Sequence, residues 1–118
     1  GQVFQIIVGE PDAAPALQAS IKAGKPIITS GPVSNMGRLD CKEPSHLALK
    51  CLAASADGFL TVSDQYVSDA IADLAAEDMK TSPSGGAGFA GLKALAGDKL
   101  GPDSRVLLLL SEGPADEI

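Results

Sequence analysis

The sequence predicts an α/β fold, a three-layer sandwich built on a mostly parallel sheet, and three observations carry that expectation. Short apolar runs alternate along the chain with segments of helical periodicity. The runs lack the every-other-residue polarity of a half-exposed strand, which is expected where helices cover both faces of a sheet. The chain has 118 residues, 45% of them hydrophobic, enough for one core without disulfide or metal staples. Residues 1–118 therefore read as a single α/β domain.

Phe4–Val8 reads as a short buried strand ended by Gly9-Glu10-Pro11. Asp12 is placed to cap a helix over 13–23, with Pro15 tolerated in the first turn and Gly24 at the C-terminal end. Pro26–Thr29 reads as a second strand. Ser30–Glu43 is a long connection rich in Gly, Pro, Ser and Asn, and such loops in compact domains are usually functional or disordered. Pro44 suits the first turn of a helix over 44–55, with Leu47, Cys51 and Leu52 on its buried face. Asp57-Gly58 is a turn and Phe59–Val62 a strand. Ser63 or Asp64 caps the next helix, where Val67, Ile71 and Leu74 recur at helical spacing. Thr81–Gly86 reads as a loop. Ala87–Ala96 reads as a small-residue helix turning Phe89, Leu92 and Leu95 or Ala96 to the core, ended by Gly97. Arg105–Leu110 is the last strand, buried on both faces. The order β-α-β-α-β-α-α-β implies right-handed crossovers.

Composition excludes several functions. A formal net charge of −6 argues against nucleic-acid binding, and 3% aromatics with no Trp leaves no stacking platform for bases. No apolar run approaches the ~18–20 residues that a membrane helix needs. Two cysteines, Cys41 and Cys51, are too few for a disulfide scaffold and read as reduced thiols of a cytoplasmic protein. With one histidine they make no zinc pattern, so no metal site is expected. The chain opens at Gly1 on an apolar segment that does not read as a signal peptide, and it ends in an acidic stretch. It reads as a piece of a longer protein or as a trimmed one.

Ligands of open α/β sheets bind beyond the carboxyl ends of the strands. That rule selects Gly9–Asp12, Ser30–Glu43, Ser63–Asp64 and Ser111–Gly113. Ser84-Gly85-Gly86-Ala87-Gly88 opens a helix, where backbone N–H groups can cradle an anion or small residues can permit close packing. His46, in the first turn of a helix, reads as a surface or capping residue, and one His does not assemble a Ser/His/Asp set. Asp69, Asp73, Glu77 and Asp78 read as a solvated helix face.

Five stretches carry a resemblance. Ile6–Ser20 (IIVGEPDAAPALQAS) is similar to a strand-to-helix segment with Val-Glu-Pro and a later Ala and Ser. Asn35–Ser45 (NMGRLDCKEPS) resembles a Met-Ala-Gly-Leu-x-Cys-Gly-Glu-Pro-Ser segment. Gly58–Asp64 (GFLTVSD) resembles a strand ending in Val-Ser/Thr-Asp, and Ser82–Gly88 (SPSGGAG) a Glu-Pro-Ser/Ala-Gly helix start. Val106–Gly113 (VLLLLSEG) looks like a last core strand followed by Ser/Thr-Glu-Gly. In this order they resemble the C-terminal part of the large domain of fold-type II pyridoxal-phosphate enzymes, the tryptophan-synthase-β and threonine-dehydratase superfamily. The Cys-x-Glu-Pro-Ser piece points to the diaminopropionate ammonia-lyase branch. Gly37-Arg38 replaces that branch's Ala-Gly pair, and Lys42 its Gly before Glu-Pro. Ser82 stands where dehydratases carry an acid, which puts a dehydratase-like cation site in doubt.

The resemblance implies pyridoxal 5'-phosphate as cofactor in the parent enzyme and a small amino acid as substrate. The implied reaction is α,β-elimination of ammonia from 2,3-diaminopropionate, giving pyruvate, with serine/threonine dehydration or another β-family lyase reaction as alternative. A non-catalytic α/β binding module is the reading from another class. Ser111 is implied as the hydroxyl that hydrogen-bonds the cofactor's pyridine nitrogen, with Ser84, Gly85 and Gly113 as further cofactor contacts and Glu43 at the active-site mouth. The family's Schiff-base lysine and phosphate-binding glycine loop lie upstream of the matching segments. None of Lys22, Lys25, Lys42, Lys50, Lys80, Lys93 and Lys99 sits in the lysine motif. The isolated chain is therefore expected to be inactive. It is also expected to self-associate through Phe4–Val8 and Val106–Leu110, in a family where homodimers are usual.

Overall fold

In the computed structural model, residues 4–95 and 100–114 are described. Two strands, β1 (Ile7–Pro11) and β2 (Gly58–Val62), form a parallel pair in the register Ile7↔Gly58 to Pro11↔Val62. Four helices follow the order β1-α1-α2-β2-α3-α4: α1 (Ala16–Ala23), α2 (His46–Ser55), α3 (Asp64–Ala76) and α4 (Pro83–Leu95). Helix α4 packs on α3 and on both strands, while α1 packs on α2 and β2. The expected α/β fold with a parallel sheet is thus present. Among the described residues no helix is long and apolar enough to cross a membrane.

The strand boundaries differ from the sequence expectation for one reason: a strand exists only where a partner satisfies its backbone groups. β1 begins three residues later than Phe4 and runs through Gly9-Glu10-Pro11, because β2 pairs with it as far as Val62. The Asp12 N–H continues the ladder to the Val62 carbonyl at 2.9 Å. Pro26–Thr29 is not a strand; its tie is a clasp in which the Thr29 N–H donates to the Lys42 carbonyl at 2.8 Å. Arg105–Leu110 is not a strand either, and the expectation of two buried faces fails: Leu107 is 84% and Leu109 76% exposed. No described segment is paired with it.

Helix starts follow available acceptors. Pro15 occupies the N-cap of α1 and offers no side-chain acceptor. The Glu10 carboxylate, arriving from β1, accepts from the N–H groups of Leu17 and Gln18, both at 2.9 Å. It replaces the expected Asp12 cap, and its negative charge suits the positive end of the helix. Gly24 closes α1 at φ 72°, a left-handed turn in which its N–H reaches the Ser20 carbonyl at 2.9 Å. Ser45 caps α2 and Ser63 caps α3, each through a hydroxyl that accepts from an N–H three residues on. Contrary to expectation, α2 buries no residue: Leu47 and Cys51 are exposed and Leu52 half-buried.

Helix α4 starts at Pro83 rather than Ala87, because proline is favoured in a first turn and Ser82 accepts from the Gly85 N–H at 3.0 Å. Its buried face is Gly85, Gly86, Ala87, Ala90 and Gly91, while the expected Phe89, Leu92 and Leu95 are only half-buried. The expected helix end at Ala96 and Gly97 lies outside the described residues. The core joins Val67 and Ala70 of α3 to Ala87 and Ala90 of α4, Val62 of β2 and Met36, with Leu39, Leu60, Ile71 and Phe89 around them. Met36 is fully buried although it belongs to the long connection.

Glycines make this packing close. A Cβ on Gly86 would collide with Ile71 Cγ2, whereas one on Gly88 would meet only Leu108 Cδ2 at 3.8 Å. Gly86→Ala is therefore expected to destabilise by about 1–3 kcal/mol through overpacking. Gly88→Ala, exposed on the same helix, is expected to be neutral or to stabilise by up to ~1 kcal/mol. Urea unfolding of both variants checks the contrast; equal effects would remove the close-approach explanation.

Candidate functional site

The connection between α1 and α2 is held by charge and hydroxyl contacts rather than by regular structure. Asp64, the first residue of α3, is free of capping duty because Ser63 performs it. One Asp64 oxygen accepts from the Ser34 hydroxyl at 2.6 Å and the other from the Asn35 N–H at 2.9 Å. The Ser34 hydroxyl oxygen in turn accepts from the Met36 N–H at 3.1 Å, which sets Met36 into the core. Asp40 accepts from the Ser34 N–H at 3.2 Å and from the Lys42 ammonium, which also donates to the Pro32 carbonyl at 2.8 Å.

Two cavities open against this connection. One, about 330 Å³, is bordered by Asn35, Gly37, Arg38, Ser82–Ser84 and Glu112. The other, about 510 Å³, runs from Val8–Pro11 at the carboxyl end of β1 to Leu39, Cys41, Glu43 and Ser45. Arg38 borders both. Its backbone N–H donates to the Ser84 hydroxyl oxygen at 3.0 Å, so its Cα is tied to α4 while its side chain stays 82% exposed. Three of the four edge segments selected from the sequence thus converge around the first cavity: the long connection, Asp64 behind it and the 111–113 segment. Gly9–Asp12 contributes to the second.

Glu112 joins the first cavity to α4. Its main-chain carbonyl accepts from the Thr81 hydroxyl at 2.6 Å. One carboxylate oxygen accepts from the Ser82 hydroxyl, and the other lies 3.6 Å from Arg38 Nε. The edge segments read from the sequence contain Glu10, Arg38, Asp64 and Glu112, but the sequence does not assign Glu10 to a helix cap, Arg38 to a wall, Asp64 to a clasp or Glu112 to Ser82. For Asp64 the Ser63-Asp64 pair is itself a signal, since only one of the two is needed as a cap.

The sequence-derived candidates fall in different surroundings. Ser111 and Gly113 are exposed, on either side of Glu112. Ser84 borders the first cavity and accepts from Arg38. Gly85 is buried; its N–H donates to Ser82 Oγ, and that of Gly86 to the Ser82 carbonyl at 2.9 Å. These two amides are taken by Ser82, and Gly85 and Gly86 lie buried against Thr81 and Ile71. Glu43 is exposed at the second cavity. His46 is exposed at the start of α2, and Cys41 and Cys51 are free and exposed. Asp69, Asp73, Glu77 and Asp78 lie exposed on and just after α3. Lys42 and Lys93 are ion-paired, with Asp40 and Asp73, and Lys22, Lys25, Lys50 and Lys80 are exposed. Lys99 lies outside the described residues.

The family model described as pyridoxal-phosphate dependent enzyme matches residues 1–112. Among curated proteins nothing matches. A solved structure of threonine deaminase from T.th. is similar with a TM-score of 0.81 at 24% identity, covering 92% of this chain and 39% of that one. An L-serine ammonia-lyase from the fungus Rhizomucor miehei gives 0.80 at 24% identity, covering 93% and 36%. Maize serine racemase gives 0.68 at 24% identity, covering 73% and 26%. At this identity the likeness is one of fold, and the chain spans two-fifths or less of the length of these solved structures.

The Lys42 ammonium bound to Asp40, with help from the Ser34 N–H, holds the Asp40 carboxyl below its ordinary 3.8 against the opposing effect of desolvation. A lowered pKa means that this contribution to stability is fully present above the unfolded value and disappears as pH falls through the folded one. The clasp over 34–42 is expected to persist down to the ordinary aspartate range and to loosen only below it. A carboxyl NMR titration of Asp40 checks this, and Lys42→Met is expected to move its midpoint upward. An unmoved midpoint would detach Lys42 from the effect.

Proposed function

The chain belongs to the pyridoxal-phosphate-dependent enzyme family, and from that premise we propose that it forms part of the cofactor and substrate wall of an amino-acid lyase. The carrying observation is the cavity that gathers Arg38, Ser82–Ser84 and Glu112, with Ser111 next to Glu112 in the chain. When bound, pyridoxal phosphate supplies the electron sink for breaking bonds at the substrate α- and β-carbons. The described residues fit one side of that group and not its attachment. The exposed Ser111 hydroxyl suits a neutral ring nitrogen, to which it can donate without transferring a proton. No described lysine is sheltered for a covalent link, and the Gly85 and Gly86 amides of α4 are taken by Ser82.

The proposed reaction is elimination from 2,3-diaminopropionate. The α-proton is removed, the β-carbon–nitrogen bond breaks, and ammonia leaves. Water then hydrolyses the released imine to pyruvate and a second ammonia. Support comes from the Asn35–Ser45 segment, which lines both cavities. The second reading, removal of water from serine or threonine, is favoured by fold neighbours that include a threonine deaminase and an L-serine ammonia-lyase. Measuring 2-oxo-acid release from 2,3-diaminopropionate, serine and threonine by the complete protein separates the two.

Ser111→Ala is expected to weaken cofactor retention and slow elimination, by roughly the ~1 kcal/mol of one neutral hydrogen bond or somewhat more. Ser111→Asp is expected to favour a protonated ring nitrogen and increase side reactions. Unchanged cofactor affinity and turnover in Ser111→Ala would remove the assignment. Glu43→Gln is expected to lower turnover more than melting temperature; the reverse pattern would make Glu43 structural.

We propose also that the 118-residue chain by itself releases no 2-oxo acid and self-associates. Its exposed Phe4, Ile6, Ile7, Val106, Leu107 and Leu109 form the apolar surface that would be covered. Light scattering at rising concentration tests association, and a monomer throughout would refute it.

A further inference from the structure

Segment 105–111 is unpaired among the described residues, and Leu107, Leu109 and Leu110 are exposed along it. A hydroxyl at the end of such a segment is useful only if something fixes the backbone beside it. Glu112 provides that fixed point. Thr81 holds its carbonyl at 2.6 Å, and the Ser82 hydroxyl and Arg38 address its two carboxylate oxygens from two different elements. The Ser82 oxygen already accepts from the Gly85 N–H, which leaves its proton for Glu112. Gly85 makes the contact possible: a Cβ there would collide with Thr81 Oγ1 and lie 3.1 Å from the Glu112 carbonyl. One residue is therefore gripped at backbone and side chain, directly after Ser111.

We infer that Glu112 is a positioning residue that sets where the Ser111 hydroxyl stands, through the latch formed by Thr81, Ser82 and Arg38. The inference rests on the cofactor-site reading above. Glu112 touches neither cofactor nor substrate in this role; it acts through Ser111.

The test is a double-mutant cycle in the complete protein, read as the Kd for pyridoxal 5'-phosphate and as the absorption band of the bound cofactor. Glu112→Ala and Thr81→Val are each expected to weaken binding about five- to tenfold and to shift the band, roughly the effect of one lost hydrogen bond. Glu112→Gln, which keeps an acceptor for Ser82, is expected to restore most of the affinity. Ser111→Ala combined with Glu112→Ala is expected to bind no worse than Ser111→Ala alone, because both losses pass through one hydroxyl. Additive losses in the double variant would overturn the inference. So would an unchanged Kd and band in Glu112→Ala or Thr81→Val, even with a lowered melting temperature. If Glu112→Ala does not fold, Thr81→Val carries the same cycle with Ser111→Ala. Wild-type protein that binds no pyridoxal phosphate would overturn the cofactor-site reading itself, whereas wild-type binding with unaffected variants removes only the role of Glu112.

Discussion

The near-contact of α4 with α3 and with the 111–113 segment governs the rest of this structure. Gly85 and Gly86 place backbone where any other residue would place a side chain, against Thr81, Ile71 and Glu112. Small residues continue this face through Ala87, Ala90 and Gly91 to Leu60 on β2. Dispersion forces reward such close packing, and the interior tolerates little added volume. The helix pays in backbone entropy for each glycine it contains. What it gains is a start that lies next to both the long connection and the end of the chain's last apolar run, so the cavity bordered by Arg38, Ser84 and Glu112 exists at all.

The long connection shows how a segment with no regular structure acquires a defined course. Asp64, Asp40 and Lys42 satisfy its backbone and hydroxyl groups in turn, and Met36 then inserts fully into the core. The polar contacts would be modest singly, but they share partners. Losing one leaves others unsatisfied at a partly buried site. The same economy of donors appears at the first turn of α4, where Ser82 takes the Gly85 and Gly86 amides.

In the proposed function, the arrangement divides labour. The described residues supply a neutral hydroxyl, an exposed guanidinium and a fixed wall, and their lysines are paired or exposed. That division agrees with a chain that matches a pyridoxal-phosphate enzyme family over 1–112 while spanning two-fifths or less of the solved structures it resembles. A family membership of this kind constrains the cofactor, whereas the leaving group is decided by contacts to the substrate β-carbon.

Periodicity by itself determined the elements whose stability is local. The capping hydroxyl at Ser63, the Val67 and Leu74 face of α3 and the left-handed Gly24 all follow from residues within a few positions of one another. The ordered stretches of similarity, from Glu10-Pro11 to Ser111-Glu112, also made the cofactor class legible before any coordinate. Tertiary structure alone decided which apolar runs are strands and which polar residues meet. Arg105–Leu110 has every residue a strand wants, yet no partner among the described residues to take its N–H and carbonyl groups. Glu10 caps a helix from another element, and Glu112 meets Ser82 across 30 residues. Strand pairing and charge clasps are contacts between distant segments, and spacing along a chain holds no record of which distant groups come within hydrogen-bond reach.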